Sequence, residues 1–235
     1  METILKAEHV TKRYGRNENA VTAVDDLSVE IHEGEFTVIL GRSGSGKSTL
    51  LHILAGLIRP DHGSVYLRER SVYKMSDSSL TKLRRTETGF VYQFFNLLPS
   101  QNVIENIVLP IHLAGRKEDE GYINELLREL RLEDKRYAWI NELSGGQQQR
   151  AAIARALASR PAVIFADEPT GNLDAKSAEE VIALMHALQK KYSQTLVMVT
   201  HDIRIAEQAD RVIILEDGRI VSDSINEITS DKTLL

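Results

Sequence analysis

Gly41-Arg42-Ser43-Gly44-Ser45-Gly46-Lys47-Ser48-Thr49 fits G-x-x-x-x-G-K-[ST], the pattern of a loop that cradles nucleotide phosphates. Before it, residues 36–40 form a short apolar, β-rich run. After it, Leu50, Leu51, Leu54 and Leu57 recur at helical spacing, so the loop is predicted to join a buried strand to a helix. Its glycines let the backbone curl until successive N–H groups point inward, and the new helix adds its positive dipole end and unpaired amides. Gly41, Ser43, Gly44, Ser45 and Gly46 thus predict an anion hole for a nucleoside triphosphate. Lys47 is expected to reach the β- and γ-phosphates as a point charge, and the Ser48 hydroxyl to ligate Mg2+. Thr49 closes the nucleotide-contacting set and is assigned mainly to the helix start.

At 235 residues the chain is one large or two closely joined domains, long enough to bury a core. Apolar residues make up 42% and charged residues 27%, and no apolar run approaches the ~20 residues that cross a bilayer. Met1-Glu2-Thr3-Ile4-Leu5-Lys6 lacks the basic-then-apolar pattern of an export signal, and there is no cysteine, so a cytosolic location is expected. The net charge of −5 argues against a nucleic-acid binder that relies on neutralising phosphates.

Leu5, Ala7 and His9 alternate with Lys6 and Glu8, and Leu27, Val29 and Ile31 with Ser28, Glu30 and His32. Both stretches read as half-exposed strands of an antiparallel sheet at the amino end. Between them lie a polar loop at 16–19 and a strand-like run at 21–24. The phosphate-loop helix is expected to end near Gly56, before Pro60-Asp61-His62-Gly63 turns the chain into a strand at 64–67. A polar surface helix at 76–85 and an apolar strand at 89–92, ending at Gln93, follow.

From 94 to 143 no strand pattern is evident. Asn102-Val103-Ile104-Glu105 has capping-box spacing, and Ile123, Leu126, Leu127 and Leu130 form one helical face, so this region reads as a helical insert. The charge run at 116–120 is a solvated connection. Ser144-Gly145-Gly146-Gln147 then opens a helix that continues through the alanine-rich 151–158. The apolar strand 162–166 closes on Asp167-Glu168-Pro169. A helix carrying Val181, Leu184, Met185 and Leu188 leads to the buried strand 195–200, which ends at His201-Asp202. Asp217-Gly218 predicts a hairpin between 211–215 and 219–221, and beyond Ser222 the tail is weakly patterned. Strands alternating with helices predict an α/β fold with a mainly parallel sheet.

Phosphoryl transfer to water needs a metal, charge neutralisation and a group that orients the attacking water. An acid after a hydrophobic strand is the usual metal partner of a phosphate loop, so Asp167 is expected to hold Mg2+ and Glu168 to polarise the nucleophile. Gln93 and His201 also end apolar strands, where α/β sheets place ligands, and either is a candidate γ-phosphate sensor. Tyr14 is a candidate adenine platform. The glycines after Ser144 again favour a phosphate, yet the chain already has a phosphate loop. Either they make a tight turn, or they receive the γ-phosphate of a nucleotide held by another copy.

Residues 41–49, Gln93, 143–147, 163–168 and His201 resemble, in order, the Walker A, Q-loop, signature, Walker B and H-loop of ABC transporter ATPase subunits. The resemblance covers nearly the whole chain. It implies one ABC ATPase domain over 1–235, with a P-loop core in 1–93 and 144–235, an antiparallel β subdomain at its amino end, and a helical subdomain in 94–143. It also implies ATP and Mg2+ as cofactors and a homodimer around ATP. Gln93 is implied as a further metal ligand beside Ser48 and Asp167. Glu168, His201, Lys47 and Gln93 form the catalytic set; Tyr14 stacks on adenine; Ser144, Gly145, Gly146 and Gln147 contact nucleotide, and Asp174 lies at the dimer interface.

Residues 90–99 and 166–174 look more narrowly like the macrolide-exporter and lipoprotein-releasing branch. That branch implies a separately encoded permease, cargo that is lipoprotein, peptide or drug-like, or mechanical transmission, and a place on the cytoplasmic face of the membrane. The apolar Phe94, Phe95, Leu97 and Leu98 offer a docking stretch for the permease within 94–110. A soluble ABC-type ATPase uncoupled from transport is the alternative, but the chain has neither a long heptad coiled coil nor a second cassette.

Overall fold

In the computed structural model, residues 2–15 and 20–226 are described; the polar loop expected at 16–19 and the tail beyond Asn226 lie outside them. In chain order the elements are β1 (Thr3–Tyr14), β2 (Val21–His32), β3 (Phe36–Leu40), α1 (Lys47–Leu54), β4 (His62–Leu67), β5 (Arg70–Ser71), α2 (Asp77–Thr86), β6 (Thr88–Tyr92), α3 (Val103–Leu113), α4 (Glu120–Glu129), α5 (Gly145–Ala158), β7 (Val163–Asp167), α6 (Ala175–Lys191), β8 (Thr195–Thr200), α7 (Ile203–Ala206), β9 (Arg211–Glu216) and β10 (Arg219–Ile225). The chain divides into two compact units, Met1–Leu80 with Thr195–Leu235, and Thr81–Gln194.

The first unit holds an antiparallel sheet in the order β2-β1-β4-β5. Residues 21–24 are the start of the single long strand β2, which pairs with β1 along its length. Strict alternation put His9 on the face of Leu5 and Ala7, but His9 is exposed and Val10 is buried instead. A bulge between Ala7 and Val10 shifts the register, with His9 (φ 50°) and Asp26 (φ 47°) both left-handed, and so resets which face each later residue takes. The His9 amide donates to Ser28 Oγ at 2.9 Å, which holds the irregularity.

In the second sheet of this unit β3 lies between β8 and β9, parallel to both, and β10 runs antiparallel to β9. Every residue of β8 is buried, as are Phe36, Val38 and Ile39 of β3, matching the uninterrupted apolar runs of strands covered on both faces. The Asp217-Gly218 hairpin forms as expected, with φ of 46° and 77°. Strand β10 runs beyond the expected 219–221 because Asp223 accepts two hydrogen bonds from the Arg211 guanidinium, at 2.7 and 2.6 Å, an ion pair that hydropathy does not reveal. Helix α1 stops at Leu54, and Gly56, near which the sequence places its end, takes a left-handed φ of 73° and turns the chain.

The second unit contains the parallel pair β6–β7, in which Tyr92 is level with Asp167. The box expected at α3 is present: Asn102 Oδ1 accepts from the Glu105 amide at 3.0 Å, and Glu105 Oε2 accepts from the Asn102 amide at 2.9 Å. Ile123, Leu126, Leu127 and Leu130 are all buried, whereas 116–120 is exposed. Ala151, Ala152 and Ala154 of α5 are fully buried, small enough to let this helix lie close against α3 and β6.

Candidate nucleotide-binding site

In the first unit Leu40 at the end of β3 is level with Thr200 at the end of β8, so the phosphate loop and His201 leave the carboxyl edges of neighbouring strands. That edge is where parallel α/β sheets bind ligands. The loop's glycines are required by geometry. A Cβ on Gly41 would lie 2.3 Å from the Leu215 carbonyl oxygen, and one on Gly46 (φ 99°) 1.9 Å from that of Ala23. Lys47 is buried, and its Nζ donates to the Arg42 carbonyl at 2.9 Å, holding the ammonium against the loop it is to serve. Ser45 Oγ is buried with no hydrogen-bond partner among the described residues, an orphan that suits a loop shaped around an anion.

Helix α1 begins at Lys47 with Gly46 as cap and no side-chain cap bond, so Ser48 and Thr49 lie inside its first turn. Tyr14 is 42% exposed and pairs with Val21; two residues on, the Ala23 carbonyl is the one that excludes a side chain from Gly46. The β1–β2 ribbon therefore brings Tyr14 and the phosphate loop to one end. His201 is exposed beside Asp202, the cap of α7, whose carboxylate accepts from the Arg204 amide and guanidinium. Those bonds hold Asp202 below its ordinary carboxylate range.

In the second unit the register of Tyr92 with Asp167 sets Gln93 and Glu168 one residue beyond the ends of adjacent strands. Glu168 has a left-handed φ of 44°, a costly conformation for a residue with a side chain and one that clusters at functional positions. The Asn172 Nδ2 donates to the Gln93 carbonyl at 3.0 Å. Gly171 carries no side chain where a Cβ would stand 2.7 Å from Gln93 Nε2, so Gln93 lies directly over the turn that follows Glu168.

Ser144 caps α5: its Oγ accepts from the Gln147 amide at 3.3 Å, and Gln147 Oε1 accepts from the Ser144 amide at 2.9 Å. Gly145 and Gly146 differ from the loop glycines. Neither is left-handed, and an added Cβ would meet Leu173 at 3.5 Å or Ser177 at 3.4 Å, ordinary contacts. Asp174 caps α6, accepting from the Ser177 amide at 3.0 Å, and bonds from the Ser177 side chain and amide lower its pKa. Among the described residues no group of three or more His, Asp or Glu could hold a metal.

Sequence reading passed over Asn172, Gln149 and Arg155, all of which bind main chain around Gln93. Their targets lie 57 to 79 residues away, and no local pattern announces such bonds. The Ser-x-x-Gln capping box at 144–147 is a local signal that sequence reading did not use.

A phosphate-cradling loop at the carboxyl edge of a parallel sheet, in a chain that also ends a strand on paired acids, defines a P-loop nucleoside triphosphatase. The ABC transporter family profile matches residues 24–171, and the chain belongs to that family as an ATP-binding domain. It is 43% identical over 223 residues to the lipoprotein-releasing system ATP-binding protein LolD of Cytophaga hutchinsonii, covering 94% of this chain and 100% of that one. It is 44% identical to the macrolide export ATP-binding/permease protein MacB of Chlorobaculum tepidum over 94% of this chain and 34% of that protein. A dimeric post-hydrolysis structure of the ATP-binding cassette MJ0796 bound to ADP and Pi, a protein of Methanocaldococcus jannaschii, superposes with a TM-score of 0.85 at 41% identity, over 94% of this chain and 98% of that one.

Proposed function

We propose that the chain is the ATP-hydrolysing motor subunit of a transporter, closing as a homodimer around ATP and driving a separately encoded permease from the cytoplasmic face of the membrane. The observation that carries the dimer is the contrast between the two glycine sets. Gly41 and Gly46 are demanded by their own chain, whereas nothing in the chain demands Gly145 or Gly146, each of which weakens a helix by roughly 0.5–1 kcal/mol relative to alanine. A bare helix start of this kind suits close approach by a phosphate from a second copy. The dimeric MJ0796 cassette with ADP and Pi supports the same reading.

Within the proposed site Gly41, Ser43, Gly44, Ser45 and Gly46 donate main-chain N–H groups to phosphate, Lys47 neutralises charge, and Tyr14 stacks on adenine. Ser48, Gln93 and Asp167 are the residues proposed to hold Mg2+. When bound, the ion neutralises charge on the phosphates. Glu168 accepts a proton from the attacking water, and His201 contacts the γ-phosphate. Ser144 to Gln147 and Asp174 meet the partner copy. Among the described residues no helix is long and apolar enough to cross a membrane. Phe94, 73% exposed beyond β6, with Leu98 is the proposed docking point. The names of LolD, lipoprotein-releasing, and MacB, macrolide export, suggest lipoprotein or drug-like cargo, and peptide is proposed beside them.

Glu168→Gln is expected to bind Mg-ATP, hydrolyse it at least about 100-fold more slowly, and elute as a dimer with ATP, because an amide cannot take the proton. Steady-state hydrolysis and size-exclusion chromatography with and without ATP test this. Turnover at the wild-type rate would remove Glu168 from the mechanism.

A further inference from the structure

We propose that Gln149 is a positioning residue for ATP hydrolysis, its side-chain amide holding the main chain on both sides of the chemistry. This rests on the roles proposed above for Gln93 and Glu168. Gln149 projects from α5 and is 0% exposed. Its Nε2 donates to the Pro169 carbonyl at 2.5 Å and to the Tyr92 carbonyl at 3.3 Å. Tyr92 directly precedes Gln93, and Pro169 directly follows Glu168. A primary amide carries two N–H donors, and here one goes to each loop.

Three further observations fit this role. Glu168 keeps a left-handed φ that its surroundings must enforce, and the bond to Pro169 fixes the next peptide. Arg155, on the same helix, donates to the Phe95 and Asn96 carbonyls, so α5 grips the main chain on both sides of Gln93 and Phe94. Gln149 Oε1 is buried and without a hydrogen-bond partner among the described residues. Rotating the amide would not help, since the oxygen would then face two carbonyl oxygens. A methionine would fill the same space and remove the unmet Oε1 but leave the Tyr92 and Pro169 carbonyls without this donor, so what the glutamine supplies here is its two N–H groups.

Two variants test the proposal, with Glu168→Gln alongside. Gln149→Met is expected to lower kcat by about 10- to 100-fold, the scale of a small misplacement of reacting groups, with KM and ATP affinity within about twofold of wild type. Its melting temperature is expected to fall modestly, because the Tyr92 and Pro169 carbonyls lose their donor, so positioning is read from the split of kcat against KM. In Gln149→Glu, only the protonated carboxyl can donate to a loop carbonyl, so kcat should rise relative to wild type as pH falls. Wild-type turnover in Gln149→Met, parallel loss of ATP binding and turnover, or a Gln149→Glu pH profile parallel to wild type would each overturn the proposal. If Glu168→Gln itself hydrolyses normally, the reading of Glu168 fails and takes this proposal with it. An inactive Glu168→Gln beside a fully active Gln149→Met sinks the positioning role alone.

Discussion

Tyr14 presents an exposed ring at the end of the ribbon that also presses on Gly46, so its contribution separates cleanly from metal and proton chemistry. Base stacking on an aromatic ring is worth ~1–3 kcal/mol, and Tyr14→Ala is expected to raise the ATP dissociation constant by the matching ~5- to 150-fold while leaving kcat near wild type. Equilibrium titration with ATP checks it, and an unchanged constant returns Tyr14 to ordinary packing. Asp61 gives a residue-scale test of stability. Its carboxylate accepts from the Arg13 amide at 2.7 Å and from Lys12 Nζ at 3.0 Å, and these bonds hold its pKa below the ordinary 3.8. A lowered pKa contributes stability that is fully present above 3.8 and is lost as pH falls through the folded value. Asp61→Asn should therefore melt below wild type at neutral pH, by no more than about 1 kcal/mol for so exposed a pair, with the gap closing in acid. Thermal melts across that range decide; a gap independent of pH would assign the effect to the Arg13 hydrogen bond alone.

Asn106 shows how an element carries more than its own turns. It is fully buried in α3; its Oδ1 accepts from the Leu98 amide at 2.7 Å, and its Nδ2 donates to the Leu98, Gln101 and Asn102 carbonyls. The loop before α3 is thus pinned by one amide from inside the helix. Asn106→Leu would leave these main-chain groups without their partner, at about 1–3 kcal/mol for each left dry, and is expected to lower the urea midpoint clearly. A midpoint equal to wild type would mean that water replaces the side chain. At this scale the sequence was legible wherever the signal was local: the β3–loop–α1 unit, the Asn102–Glu105 box, the buried face of α4 and the Asp217-Gly218 hairpin all form. It was illegible where pairing is long-range. The bulge at His9 depends on β2, the length of β10 depends on Arg211, and the grip of Asn106, Gln149 and Arg155 on main-chain carbonyls leaves no periodicity at all.

At the scale of the whole molecule the decisive question is whether one copy can hydrolyse ATP alone. The helix start at Ser144 has no internal reason for its glycines, and the proposal gives it the phosphate of a second copy. Consider Lys47→Ala in one copy and Ser144→Arg in the other. If sites are shared head to tail, both lesions fall on one site, and the second keeps an intact Lys47 facing an intact Ser144. If each chain is self-sufficient, no intact site exists in the mixture. Mixing the two inactive variants is therefore expected to restore ATP hydrolysis, read as a rate above the sum of the separate rates. Failure to close around one defective site would mask this, so the same pair is also built on Glu168→Gln and scored by ATP-dependent dimer formation. Ser144 is exposed, so an arginine there fits its own chain, and its bulk should bar the partner's phosphate. Homodimers of Ser144→Arg with Glu168→Gln are then expected to stay apart in ATP, while mixtures with Lys47→Ala pair through the intact site. Ser144→Arg copies that dimerise with ATP as readily as the unmodified helix start would overturn the shared site.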